Sequence, residues 1–243
     1  MICNVIATGS TGNAVILDND LLIDCGVPFG ALQDHYRALK IALLTHIHGD
    51  HFNPATIKRL HYLRPALRFA CAPWLLQPLL DIGIARPMID CVLPSANRGI
   101  LYQNNLILRC ERIPHDVDNC CWHIKMPDGT LAFYATDCGS LDEIAAHDYD
   151  LYLVEANHTQ AELAARLAAK EEKGEYAYER RAAEVHLSQE QAMDWLAENM
   201  GPRSKYILLH QHKEREANNG VVRGPSNDGE ASENAQAGEA AQG

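Results

Sequence analysis

Short apolar runs recur along the chain and end abruptly in polar or glycine-bearing stretches, the pattern of strands leaving a buried sheet. Ile2 to Ala7 alternates, Ala14 to Leu17 and Leu21 to Ile23 are apolar, and Thr8 to Asn13 between the first two reads as a hairpin turn. A helix is predicted from Val27 to Leu39, followed by a strand at Ile41 to Leu44. Asn53 and Pro54 then supply an N-cap and a first helical residue for a helix to Leu63. A strand at Leu67 to Cys71 and a helix from Trp74 to about Leu80 continue the alternation. Further on, Leu106 to Ile113 is a strand, and Cys121 to Lys125 pairs through the Asp128-Gly129 turn with Thr130 to Thr136. Leu151 to Val154 and Tyr206 to Leu209 are the last strands. Three capping boxes start helices: Ser140 with Glu143, Thr159 with Glu162 ahead of Leu163 and Leu167, and Ser188 with Gln191 ahead of Met193, Leu196 and Met200. Strands alternating with helices indicate the α/β class.

The chemistry concentrates where the Ile41–Leu44 strand stops. Thr45 is followed by His46, Ile47, His48, Gly49, Asp50 and His51, which places four metal-capable side chains within six positions. In extended backbone His46 and His48 point the same way, and Gly49 is expected to permit the bend that returns Asp50 and His51 toward them. Three imidazoles and a carboxylate so close together repel one another when charged, but as neutral imidazoles and an anion they suit Zn, Mn or Fe.

Charge and cysteine usage narrow the picture. The chain has 243 residues and a formal net charge of −11, with 32 Asp and Glu against 21 Lys and Arg, which argues against a broad nonspecific grip on nucleic acid. The eight cysteines form no C-x-x-C pair and fall mostly in apolar runs, as reduced core thiols would; Cys138 and the adjacent Cys120 and Cys121 are those to watch for a metal or redox role. The chain opens on a strand-like pattern, and no run approaches the roughly 18 apolar residues of a membrane span, so a soluble, cytoplasmic protein with no membrane partner is expected. From residue 213 to residue 243 Gly, Asn, Glu, Ala and Gln dominate, which predicts a disordered tail after a single domain over residues 1–212.

The H-x-H-x-D-H cluster resembles the signature of the metallo-β-lactamase fold hydrolases, and the resemblance runs to about residue 212. The local wording is similar to the YycJ/WalJ-type nucleases, with likeness to the wider RNase Z and RNase J group; Thr8 to Asn13 resembles their S-G-S-x-G-N opening with Thr8 for the first serine. The resemblance implies an α/β, four-layer αββα sandwich in which Asp24 orients the histidine loop. It implies two divalent ions, Zn or Mn, with His46, His48 and His115 on one, Asp50, His51 and His210 on the other, and Asp137 between them. His115 stands in the family's S-H-D with Pro114 for serine, Asp137 in its A-T-D, and Glu155 to His158 in its E-x-N-H-D with Thr159 for the last aspartate. His186 matches its H-L-S motif at a helix N-terminus, which implies proton transfer or phosphate stabilisation, so that His186 and Asp50 are the catalytic candidates. The last ligand reads His210-Gln211-His212, leaving His212 as an alternative.

Two ions about 3.5 to 4 Å apart lower the pKa of a shared water to near 7, an engine that serves phosphodiesters, thioesters and lactams alike. Asp50 and the His186 motif favour a phosphodiester, and the reading is a DNA or RNA nuclease using a metal-bridged hydroxide. Alternatives are a cyclic-nucleotide phosphodiesterase, a glyoxalase II-type thioesterase and a noncatalytic metal-binding module. The expected partner is a nucleic acid or nucleotide substrate, with room for a homodimer. Lys173, Arg180 and Arg181, with Tyr176 and Tyr178, read either as solvated surface or as a lobe that meets a phosphodiester backbone.

Overall fold

Two six-stranded sheets divide the chain in sequence order. In this computed structural model, residues 1–173 and 184–211 are described. The expected tail from residue 213, the alternative ligand His212, and Tyr176, Tyr178, Arg180, Arg181 and the Lys173 side chain lie outside what is described. The first sheet orders β1 (Cys3–Ala7), β2 (Ala14–Leu17), β3 (Leu21–Ile23), β4 (Ile41–Leu44), β5 (Arg68–Cys71) and β6 (Ile89–Cys91). The second orders β12 (Lys205–Leu209), β11 (Leu151–Glu155), β10 (Leu131–Ala135), β9 (Asn119–Lys125), β8 (Ile107–Ile113) and β7 (Ile100–Leu101). Each sheet passes from antiparallel hairpins to parallel strands: β3 through β6 in the first, β10 through β12 in the second.

Burial follows from the sequence pattern. Strands β2, β3 and β4 are apolar and buried at every position, and β11 is buried throughout and apolar up to Glu155, because the sheets are covered on both faces. Val15, Leu17, Ile23, Leu43, Trp122, Tyr134 and Leu153 fill the layer between the sheets. A second core lies on the outer face of the first sheet, where Ile57 and Leu60 of helix α1 (Pro54–Leu63) and Leu79 of helix α2 (Leu76–Asp81) meet Ile16, Leu22 and Phe69. A third joins Ala192, Trp195 and Leu196 of helix α4 (Gln189–Asn199) to Phe133, Tyr152 and Val154 of the second sheet. Helix, sheet, sheet and helix make the expected four layers.

Several expectations change. The predicted helix from Val27 to Leu39 is only a 3-10 turn at Phe29–Leu32. Val27 lies off the face that Leu32 and Leu39 would share in a helix, and Gly30 weakens helix formation there. No helix follows Ser140; its Oγ accepts from Asp142 N at 3.0 Å, closing a local turn while Leu141 and Ile144 anchor in the third core. Asn53 does cap α1, and both remaining capping boxes form, Thr159 with Glu162 ahead of helix α3 (Gln160–Lys173) and Ser188 with Gln191 at α4. All eight cysteines are free thiols. Among the described residues no helix is long and apolar enough to cross a membrane.

Candidate metal centre

Strand ends deliver the site. β3 ends at Asp24, β4 at Thr45 and His46, β8 shortly before His115, β10 before Asp137, β11 in Glu155 and β12 at His210. Three of these residues, Asp24, Asp137 and His210, hold positive φ angles of 57°, 55° and 52°, which non-glycine residues keep only where their surroundings hold them.

Three sets of donor atoms each lie within 4.8 Å of one another: His46, His48 and His115; His46, His51 and Asp137; and Asp137, Glu155, His186 and His210. Six of the seven residues expected to hold metal thus converge. Asp50, the seventh, falls outside these sets, its carboxylate at the rim 3.8 Å from His51 Nε2. His186, expected to act beside the metal, is inside the third set.

Outer partners set the histidine rings. Thr45 Oγ1 donates to Asp24 and lies 3.0 Å from His46 Nδ1, leaving His46 Nε2 buried without a partner. His51 Nδ1 lies 2.7 Å from Asp24 Oδ2, which also accepts from the Tyr134 hydroxyl. His115 Nδ1 donates to the Val185 carbonyl at 3.2 Å, so its Nε2 turns toward His48 Nδ1 at 3.3 Å. His48 Nε2 in turn lies 3.3 Å from Asp116 Oδ1. Each ring therefore has one nitrogen engaged outside and the other facing the shared centre, the arrangement in which outer hydrogen bonds orient metal ligands. An orphaned buried imidazole nitrogen among carboxylates and further imidazoles is a donor set suited to a divalent metal ion.

Comparison with solved structures identifies the fold. YhfI of Bacillus subtilis, described as a metallo-β-lactamase fold protein, superposes with a TM-score of 0.62 at 15% identity, covering 86% of this chain and 85% of its own. Human tRNase Z, short form, gives 0.62 at 16% identity over 89% and 94%. Zn(2+)-bound PqqB of Methylobacterium extorquens gives 0.59 at 12% identity over 87% and 89%. The chain has the metallo-β-lactamase fold. No protein-family model and no curated protein matches it.

Electrostatics within this metallo-β-lactamase fold centre pair each buried anion with imidazoles. Burial alone would raise the Asp137 carboxyl, but His210 and His51 hold it well below the carboxylate range. Burial would likewise raise Glu155, yet hydrogen bonds from His186 and His210 hold it low. Burial opposes a proton on His51, but Asp137 and Asp24 push its pKa well above the usual value. His186 and His210 shift upward for the same reason, through Glu155 and Asp137. His46 moves well below the usual value, first through burial and then through His51.

Three participants, Glu155, Asn13 and Asp116, lie inside motifs matched in the sequence but were given no role there. Glu155 is wholly buried, accepts from Asp137 N and Leu187 N, and lies 3.3 Å from His186 Nδ1. Its clues were a carboxylate ending an apolar strand and its place in the E-x-N-H-D stretch. Asn13 and Asp116 act through partners distant in sequence or through the fold. Cys138 is buried and joins none of the donor sets, so the structure gives it a packing role.

Proposed function

We propose that the chain is a metal-dependent hydrolase of phosphodiester bonds, a DNA or RNA nuclease of the YycJ/WalJ type holding two Zn or Mn ions. The observation that carries this reading is the His186–Glu155 pair beside Asp137. His186 Nδ1 stands 3.3 Å from Glu155 Oε2 and 3.4 Å from Asp137 Oδ1, with the ring 17% exposed at the rim. It precedes the Ser188 cap of α4, where backbone N–H groups favour an anion. The Glu155 carboxylate at Nδ1 raises the pKa of His186 and leaves Nε2 directed away from it, the arrangement of a general acid toward a leaving oxygen. His46, His48 and His115 would hold one ion, Asp50, His51 and His210 the other, and Asp137 would lie between. The chemistry such ions supply is a lowered pKa for water and screening of the phosphate charge.

The name of human tRNase Z supports a nucleic-acid substrate. A cyclic nucleotide is favoured by a different feature, a cleft of about 780 Å³ beside His115. Asp116, Asp118, Asp142 and Glu143 line it against Arg112, which is itself paired with Asp118. Such a wall suits a small substrate better than a long polyanion. Purified protein loaded with Mn or Zn should cleave linear DNA or RNA faster than cyclic nucleotides and leave a thioester intact. Turnover of cyclic nucleotides alone would support the second reading, and turnover of the thioester alone would end both.

Metal loading should also release protons. His51 Nε2 lies 2.7 Å from Asp137 Oδ2, and Asp137 and Asp24 push its pKa well above the usual value, which favours a proton on the ring when no metal is bound. A bound ion must displace that proton, so affinity should fall as pH falls. Calorimetric titration at pH 7 in buffers of different ionisation enthalpy should show release of about one proton or more. A binding enthalpy independent of buffer would contradict it.

A further inference from the structure

The stretch from Thr8 to Asn13 is more than the turn of a hairpin. Asn13 is 2% exposed, and its side chain is committed on every side. Its Oδ1 accepts from Gly9 N at 2.9 Å, while Nδ2 lies 3.1 Å from both Gly9 O and Asp50 O; it is also 2.7 Å from His51 Nε2, the nitrogen an ion would take, so that with metal bound Nδ2 keeps the bonds to the two carbonyls. Its backbone N–H also donates to Asp50 O at 2.7 Å, and its carbonyl accepts from Gly26 N at 3.0 Å. At the loop's other end Thr8 Oγ1 accepts from His210 N at 2.6 Å. One short loop is therefore tied both to the Asp50–His51 peptide, carried by the first sheet, and to His210, carried by the last strand of the second.

The tie to His210 answers a local need. With φ at 52°, His210 sits in the left-handed region and must be held there. Thr8 engages its N–H and the Asn157 amide engages its carbonyl at 3.3 Å. Among the described residues, the hydrogen bonds of Thr8 and Asn13 reach none of His46, His48 and His115, whose rings are set by Thr45, Asp116 and Val185.

We propose that Thr8 and Asn13 are positioning residues for one ion only, the one assigned to Asp50, His51 and His210, and that their loop sets the separation of the ligands that the two sheets deliver to it. The inference rests on the two-ion reading above. Outer partners of this kind are typically worth on the order of 10- to 100-fold in metal affinity.

The test uses the full chain, stripped of metal and titrated with zinc against a chromophoric chelator so that two stepwise affinities are resolved. His48→Ala, which removes a ligand of the other ion, identifies which step is which. Thr8→Val and Asn13→Ala should weaken the second-ion step on the order of 10- to 100-fold and leave the other unchanged. Thr8→Ser, which keeps the hydroxyl, should restore wild-type affinity. Because Thr8→Val preserves side-chain shape, its result stands even where Asn13→Ala does not fold. Equal weakening of both steps would make the loop a general support of the fold and overturn the proposal. So would an unchanged second step, or a Thr8→Ser variant as weak as Thr8→Val. Wild-type protein that binds a single ion would remove the two-ion reading and this proposal together, an outcome separate from the other three.

Discussion

His186→Ala should bind both ions as the wild type does yet lose on the order of 10² to 10⁴ in kcat, the range of a general acid or base. His48→Ala should lose metal and activity together. The split follows from what each ring touches. His48 Nδ1 faces His115 Nε2 at 3.3 Å, and its other nitrogen is engaged by Asp116, the arrangement expected of a ligand. His186 directs Nδ1 at the Glu155 carboxylate, is partly exposed, and heads a capped helix. The competing outcome is specific, because Asp137, Glu155, His186 and His210 also form a compact donor set. Elemental analysis and turnover of both variants decide the matter. If His186→Ala is as metal-poor as His48→Ala, then that set holds the second ion and Asp50 and His51 do not.

Gly26→Ala should abolish metal loading and cost more than about 3 kcal/mol of stability, in the tail of single-substitution effects. A β-carbon at Gly26 would stand 1.7 Å from Asp50 O and 2.6 Å from His51 N, so backbone must move, not a side-chain tip. What moves is the ligand loop, because Cys25 N donates to His51 O, Asn53 N donates to Cys25 O, and Gly26 N donates to Asn13 O. Gly49→Ala is the control, since nothing lies within 4 Å of a β-carbon there. Urea denaturation and metal content of the two variants provide the check. A Gly26→Ala protein that loads metal normally would show that the loop can retreat without disturbing its ligands.

The contrast between the two glycines shows what could be read from sequence. Gly49 stood inside the histidine cluster and looked like the hinge of the bend, yet its backbone is not left-handed and the space around it is open. Gly26 is the position that cannot bear a side chain, and the reason lies in a loop more than twenty residues further on. The same division runs through the site. His46, His48 and His51 were legible because strand geometry and short spacing bring them together. Glu155, Asn13 and Asp116 lay in recognisable motifs but had no readable role, because their value comes from contacts across the fold, such as Asn13 with Asp50, 37 residues apart. In the fold, long apolar strands were placed to within a residue or two, while β6 and β7, of three and two residues, are too short to show a period. The helix expected after Val27 shrank to a 3-10 turn because Val27 lies off the Leu32–Leu39 face and Gly30 weakens a helix, although Val27, Leu32 and Leu39 still pack into the core.

That the two sheets follow one another in the chain, residues 3–91 and then 100–209, orders events during synthesis. When the first sheet has emerged from the ribosome, His46, His48, Asp50 and His51 are present while His115, Asp137 and His210 are not. On the two-ion reading proposed above, neither set of ligands is complete until β8 to β12 have joined the first half, so loading would follow synthesis of the whole domain and not precede it.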